Sequence, residues 1–136
     1  MKLTTYTDGG ARGNPGPAAA GIVIKDENNL ILDAYGEYLG EQTNNFAEYS
    51  ALISALKRAK ELGGTEIECV LDSELVTKQM QGLYKVREPA LQKLFIQAYN
   101  AAAQFKKVNY RHTLRENNKE ADRLVNEVLD KKNLPN

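Results

Sequence analysis

Four acidic residues far apart in the 136-residue chain, Asp8, Glu48, Asp72 and Asp122, carry its strongest chemical signal. Asp8 closes the apolar run that opens the chain, and Asp72 closes another, "TEIECVLD". In an α/β sheet the C-terminal ends of strands form the edge where ligands usually bind. Glu48 falls in the first turn of a helical stripe, above Leu52, Ala55 and Ala59, which turns it toward the sheet. Asp122 stands between Ala121 and Val125 near the start of a second stripe, on or beside its core side. Alone, each carboxylate reads as a helix cap, a macrodipole partner or a surface charge. Together and partly buried, they would raise one another's pKa at a cost of several kcal/mol unless cations sat among them. Oxygen ligands without a His or Cys cluster select Mg²⁺ or Mn²⁺ over Zn²⁺. Two such ions roughly 4 Å apart can activate a water and stabilise the leaving oxygen of a phosphodiester.

The elements that must position these groups follow from hydrophobic period. Residues 2–8 alternate as a strand, and "AAAGIVIKD" and "LILDAYGEYL", separated by the turn signal "ENN", complete an antiparallel meander. From Phe46 to Leu62 the period becomes helical, after the capping residues Thr43, Asn44 and Asn45 and before Gly63 and Gly64. "TEIECVLD" is a buried strand reached by a parallel crossover. A short helix over 73–81 stops at Gly82, and a longer one runs from Pro89 to about Phe105. "KVNYRH" is the last strand, and Asn117 or Asn118, with Glu120 placed for a capping box, opens the last helix. The order β-β-β-α-β-α-α-β-α predicts a five-stranded mixed α/β sheet, its first three strands antiparallel, flanked by about four helices. Residues 1–130 are expected as one domain and 131–136 as a frayed tail.

Composition narrows the class further. Hydrophobic content of 42% and charged content of 26% suit an ordinary globular chain able to bury a core without disulfides. The lone Cys69 excludes a disulfide framework and fits a reducing compartment. No stretch reads as a signal peptide or approaches the ~20 apolar residues of a membrane span, so a cytoplasmic monomer is expected. Lys plus Arg equals Asp plus Glu at 18 each, so any affinity for a polyanion must be local. A mild basic excess from Lys106 to Arg123, Arg115 included, reads as a solvated surface.

The segments "YTDGGARGNPGPAAAGIVI", "TNNFAEYSALISAL", "LDSELV" and "RENNKEADRLVNEVL", in this order, resemble type 1 ribonuclease H from Thr4 to about Leu129. The resemblance implies a ribonuclease H-like fold. It also implies an endonuclease that cuts the RNA strand of RNA–DNA hybrids with two metal ions, Mg²⁺ or in its place Mn²⁺, leaving 5′-phosphate and 3′-hydroxyl ends. The family's four metal-binding carboxylates fall on Asp8, Glu48, Asp72 and Asp122. Asp8 would bridge both ions, Asp122 would serve the ion that activates water, and Glu48 and Asp72 would hold the ion on the leaving-group side. Substrate contacts are implied at Gly9, Gly10 and Asn14 in the first loop, at Thr43, Asn44 and Asn45, and at Ser73 and Asn118. For Thr43 and Asn44, capping accounts for the residue equally well. Many members have a histidine assisting proton transfer and product release about where His112 stands; a structural hydrogen bond at a strand end is the other reading of that residue.

Two departures bear on substrate. Some members insert a basic, Trp-containing helix that grips the DNA strand, whereas "QGLYKVREPAL" passes directly between helices and offers only Tyr84, Lys85 and Arg87. An N-terminal hybrid-binding domain found in some relatives is not expected either. This compact form resembles archaeal and certain bacterial members, some of which also act on double-stranded RNA, which leaves substrate breadth open. No membrane and no obligate protein partner are expected. A non-catalytic nucleic-acid-binding module on this fold would normally have lost a carboxylate. Against a DNA-cutting nuclease of resolvase or transposase type, the Gly-Asn loop and the Thr-Asn-Asn stretch favour the hybrid.

Overall fold

The computed structural model describes residues 1–132. Its strands are β1 (Lys2–Ala11), β2 (Gly16–Lys25), β3 (Ile31–Gln42), β4 (Glu66–Leu71) and β5 (Lys107–His112). Its helices are α1 (Asn44–Glu61), α2 (Glu74–Met80), α3 (Pro89–Ala102) and α4 (Lys119–Lys132), with one 3-10 turn over Arg115–Asn117 that hydrophobic period does not predict. The strands form a single sheet in the order β3-β2-β1-β4-β5, antiparallel from β3 to β1 and parallel from β1 to β5. This is the mixed architecture that the element order predicts.

The expected helical stripe of α1 forms the centre of the core. Ala47, Ala51, Leu52, Ala55, Leu56 and Ala59 are fully buried, and all but Ala47 share one cluster with Leu3, Ile22, Ile24 and Leu71 of the sheet. Each buried leucine or isoleucine of that group contributes about 1.5–3 kcal/mol. Thr43 caps α1 by accepting from the Phe46 amide at 3.1 Å, and Ser73 caps α2 by accepting from the Val76 amide at 3.2 Å. On the opposite face α4 lays Val125 and Leu129 against Ala19 of β2.

Three boundaries differ from expectation in ways that matter for the site. β1 does not end at Asp8 but runs to Ala11. Its parallel pairing with β4 stops at Thr7 and Leu71, while its antiparallel pairing with β2 continues through Gly9, Gly10 and Ala11. The two central strands therefore part company at the level of Asp8 and Asp72. The capping box expected at α4 does not form either. The Asn118 side chain turns to β1, donating from Nδ2 to the Thr7 carbonyl at 2.8 Å, and Glu120 lies 3.8 Å from Lys25 Nζ. Finally, α4 continues through Lys132, two residues into the stretch expected as a tail, and residues 133–136 lie outside those described. Among the described residues no helix is long and apolar enough to cross a membrane.

Candidate active site

Two glycines bring the helix starts down onto the sheet. A Cβ on Gly9 would stand 2.2 Å from the Ala47 carbonyl carbon, so the first turn of α1 rests directly on the β1 backbone. A Cβ on Gly21 would stand 2.2 Å from the Ala121 carbonyl oxygen, so the first turn of α4 rests on β2 in the same way. Gly21 is the antiparallel partner of Asp8. Glu48 follows Ala47 and Asp122 follows Ala121, so both acidic residues arrive beside Asp8 because neither glycine carries a side chain.

One carboxylate oxygen from each of Asp8, Glu48 and Asp72 lies within 4.8 Å of the other two, with Asp8 and Glu48 each only 7% exposed. Asp122 lines the same cleft of about 560 Å³, where its Oδ1 accepts from Arg115 at 2.9 Å. The Gly9 amide donates to Glu48 Oε1 at 3.0 Å, whereas Glu48 Oε2 is buried with no partner among the described residues. Burial first, and then the negative charge of Asp72, pushes the Asp8 carboxyl up to about 8. Burial likewise holds Glu48 well above the usual carboxylate range and raises Asp72, the latter opposed in part by the Arg115 charge.

An orphaned carboxylate oxygen among crowded acids fits a hard divalent cation. The donor set is all oxygen, which suits Mg²⁺ or Mn²⁺. Without metal, burial and the neighbouring carboxylates favour the protonated form of Asp8 in the folded chain over the unfolded one. Stability from this group is therefore complete below its ordinary pKa of 3.8 and lost as pH rises through about 8. In chelator, the melting temperature is expected to fall between about pH 5 and about pH 9, and added Mg²⁺ to restore more of it at the higher pH, where the ligands are ionised. A melting temperature that climbs across that interval without metal would contradict the crowded, buried charge.

Several residues expected as substrate contacts have structural partners instead of, or besides, an open face. Gly9 is buried and its amide donates to Glu48 Oε1. Asn118 is 3% exposed and donates to the Thr7 carbonyl, while its Oδ1 is buried with no partner among the described residues. Ser73 lines the cleft but its hydroxyl caps α2. Thr43 is the α1 cap. Asn14 Oδ1 accepts from the Asn44 amide at 3.0 Å and Asn44 Oδ1 from the Ala11 amide at 2.8 Å, clamping the 12–15 loop and the end of β1 to α1. Gly10 and Asn45 line the cleft, partly exposed. His112 is exposed at the end of β5, and its Nε2 makes a structural hydrogen bond to the Asp72 carbonyl oxygen at 3.2 Å.

Sequence reading missed Arg115, which counted only toward a mild basic bias. It also missed Asn126, which follows Asp122 by one helical turn and donates to its carbonyl at 3.1 Å. The spacing of four residues was visible; that Asn126 also lines the cleft was not.

An acidic rim at the parting of two parallel strands, on a sheet of this order, defines a protein of the ribonuclease H-like fold class. Residues 6–128 match the family described as reverse transcriptase-like. The bifunctional protein Rv2228c of Mycobacterium tuberculosis is 44% identical over 96% of this chain and 36% of its own length. A ribonuclease HI of Halobacterium salinarum is 40% identical over 95% of this chain and 65% of its own length. This chain thus spans about a third of the first of these relatives and just under two thirds of the second. The crystal structure of the Halobacterium salinarum RNase H1 superposes with a TM-score of 0.94, covering 96% of this chain and 99% of that one. LC11-RNase H1, solved in complex with RNA/DNA hybrid, is 46% identical with a TM-score of 0.91, covering 96% and 98%. The chain belongs to the type 1 ribonuclease H family.

Proposed function

We propose that this protein is an endonuclease that hydrolyses the RNA strand of RNA–DNA hybrids, leaving 5′-phosphate and 3′-hydroxyl ends. Residues 1–130 form its catalytic domain, and Asp8, Glu48, Asp72 and Asp122 hold two Mg²⁺ ions, for which Mn²⁺ can substitute. The observation that carries this reading is the meeting of three carboxylates within 4.8 Å around the unpartnered Glu48 Oε2. Bound there, divalent ions supply the charge that activates a water and stabilises the departing oxygen.

The chain's own residues prepare that site. The Gly9 amide holds Glu48 Oε1 and so leaves Oε2 for a cation. Asn118 ties Thr7 to the start of α4, and its carbonyl accepts from the Asp122 amide at 3.1 Å, which sets the spacing of Asp8 and Asp122. Arg115 orients Asp122 and places a positive charge in the cleft, where a phosphate would lie. His112, beside Asp72, is placed to take part in proton transfer once its ring turns from the Asp72 carbonyl. Gly10 has nothing closer than 3.9 Å to a Cβ, so the backbone there is open to a minor groove and its 2′-hydroxyls. Asn14, Asn44 and Asn45 lie along the same approach with amide groups available to the nucleic acid. The hybrid bound to LC11-RNase H1 supports this choice of substrate. The buried Cys69 supports a reducing, cytoplasmic compartment.

Incubation with labelled RNA–DNA hybrid, double-stranded RNA and duplex DNA, each with Mg²⁺, Mn²⁺ or chelator, tests the proposal. Cutting of the hybrid's RNA strand is expected with either metal and not with chelator. The double-stranded RNA lane reports substrate breadth. Cutting of duplex DNA alone, or cutting that survives chelation, would refute it.

A further inference from the structure

One thread of polar side chains joins the first loop to Asp122. Arg12 is the first residue after β1, and its Nη2 donates to Asp130 Oδ1 at 2.6 Å and to Asn126 Oδ1 at 3.4 Å. Asn126, partly buried, turns its Nδ2 the other way, donating to the Asp122 carbonyl at 3.1 Å and to the Asp122 carboxylate Oδ2 at 3.5 Å. Asp122 Oδ1 meanwhile accepts from Arg115 at 2.9 Å. Arg12, Arg115, Asp122 and Asn126 all line the acidic cleft.

The charges along α4 give Arg12 its task. Asn126 has an aspartate one helical turn to either side, Asp122 before it and Asp130 after it, and its one amide nitrogen could donate to either. A guanidinium carries only donors. Seated on Asp130, it occupies that carboxylate and presents an N–H to Asn126, which must face it with Oδ1, so Nδ2 is left for Asp122. The Asp122 carboxylate then has a donor on each oxygen, Arg115 on one and Asn126 on the other, which fixes how the group is turned while each oxygen keeps a free lone pair. As an exposed ion pair, Arg12 with Asp130 adds little to stability. What it adds is a choice between two orientations of one amide. The loop carrying Arg12 is clamped to α1 through Asn14 and Asn44, so this orientation is tied to the helix that bears Glu48.

We propose that Asn126 is a positioning residue for Asp122, its amide oriented by Arg12, and that the pair fixes how the fourth carboxylate is offered to a divalent cation. This rests on the proposed metal-dependent nuclease activity and gives it two residues that act through Asp122.

Two measurements test it, and the first needs no metal. In proton–nitrogen correlation spectra of the metal-free protein, the Asn126 side-chain NH₂ signals should lie away from those of a free asparagine. Arg12→Met should move them to the free values, and Arg12→Lys, which keeps a donor-only cation, should leave most of the shift. The second is steady-state cleavage of hybrid across Mg²⁺ concentrations. Asn126→Leu is expected to raise the Mg²⁺ needed for half-maximal cleavage and to lower kcat, about tenfold in all, with KM for hybrid within about twofold. Asn126→Asp, which keeps the shape but turns an acceptor on Asp122, should lose more. Arg12→Met should act in the same direction as Asn126→Leu and add little to it, and Arg12→Lys should recover most of the loss. A side chain that only supports the fold would lower the melting temperature and leave the Mg²⁺ dependence alone. Unmoved NH₂ signals in Arg12→Met, or an unchanged Mg²⁺ dependence in both Asn126 variants, overturns the proposal while wild-type cleavage stands. So does an Arg12→Met effect confined to KM and to its salt dependence, which would make Arg12 a phosphate contact instead. Absence of hybrid cleavage by the wild type would remove the nuclease reading, and this role with it.

Discussion

Asp8→Asn is expected to lower metal-dependent hybrid cleavage by at least roughly 10³-fold, because groups acting as one unit lose most of their effect when one is removed. The same substitution should raise the melting temperature of the metal-free protein. Both outcomes follow from one fact: the Asp8 carboxyl is buried against Glu48 and Asp72, where burial and like charge push it up to about 8. An amide of the same shape removes the like-charge repulsion, and with it a ligand for the ions that this crowding calls for. The stability gain should be largest above about pH 8 and vanish below about pH 4, where the native carboxyl is protonated in both folded and unfolded chains. Single-turnover cleavage with Mg²⁺ and thermal melts in chelator measure the two effects. Wild-type cleavage by the variant would remove Asp8 from the mechanism, and a lower melting temperature at high pH would mean that the carboxylates do not crowd one another.

Gly9→Ala is expected to cost about 3 kcal/mol or more and to abolish cleavage, although Gly9 contributes no side chain to the chemistry. Its Cβ would lie 2.2 Å from the Ala47 carbonyl carbon and 2.4 Å from the Glu48 nitrogen, which are backbone atoms that cannot swing aside. α1 would have to lift from β1, taking Glu48 and its bond to the Gly9 amide out of the site. Gly10→Ala is the control. The nearest atom to its Cβ is Val125 Cγ1 at 3.9 Å, an ordinary contact, so its unfolding midpoint should stay near that of the wild type. Urea unfolding of the two variants checks the difference, and equal midpoints would show that α1 does not bear on β1 at this point.

Much of the scaffold was legible because it depends on local pattern. The stripe Ala47, Ala51, Leu52, Ala55, Leu56, Ala59 announces its helix and its buried face by period alone, and Thr43 marks the start by a bond reaching three residues. Alternation in "TEIECVLD" likewise marks a strand ending near Asp72. Spacing on those elements sufficed to direct Asp8, Glu48 and Asp72 to one rim, where one oxygen from each lies within 4.8 Å of the other two.

Other features had no local signature. Nothing near Asp8 in the sequence says that β1 continues with β2 after leaving β4, because strand ends depend on which partner is present. Asn118 looked like a cap because its neighbours are those of a helix start, yet it bonds a carbonyl 111 residues away. Arg115 looked like surface charge until the 3-10 turn delivered it to Asp122, and Gln79 looked like part of a short helix until Tyr49 met it across the core.

The amino-acid sequence by itself therefore determined the elements, their order and the acidic character of the rim, since hydrophobic period and capping act over a few residues. Tertiary structure alone decided which oxygen of Glu48 is spoken for, how close the helices sit on Gly9 and Gly21, and which polar side chains bond the backbone of remote segments. Those outcomes turn on ångström separations between segments remote in the chain, and such separations exist only once the core has packed.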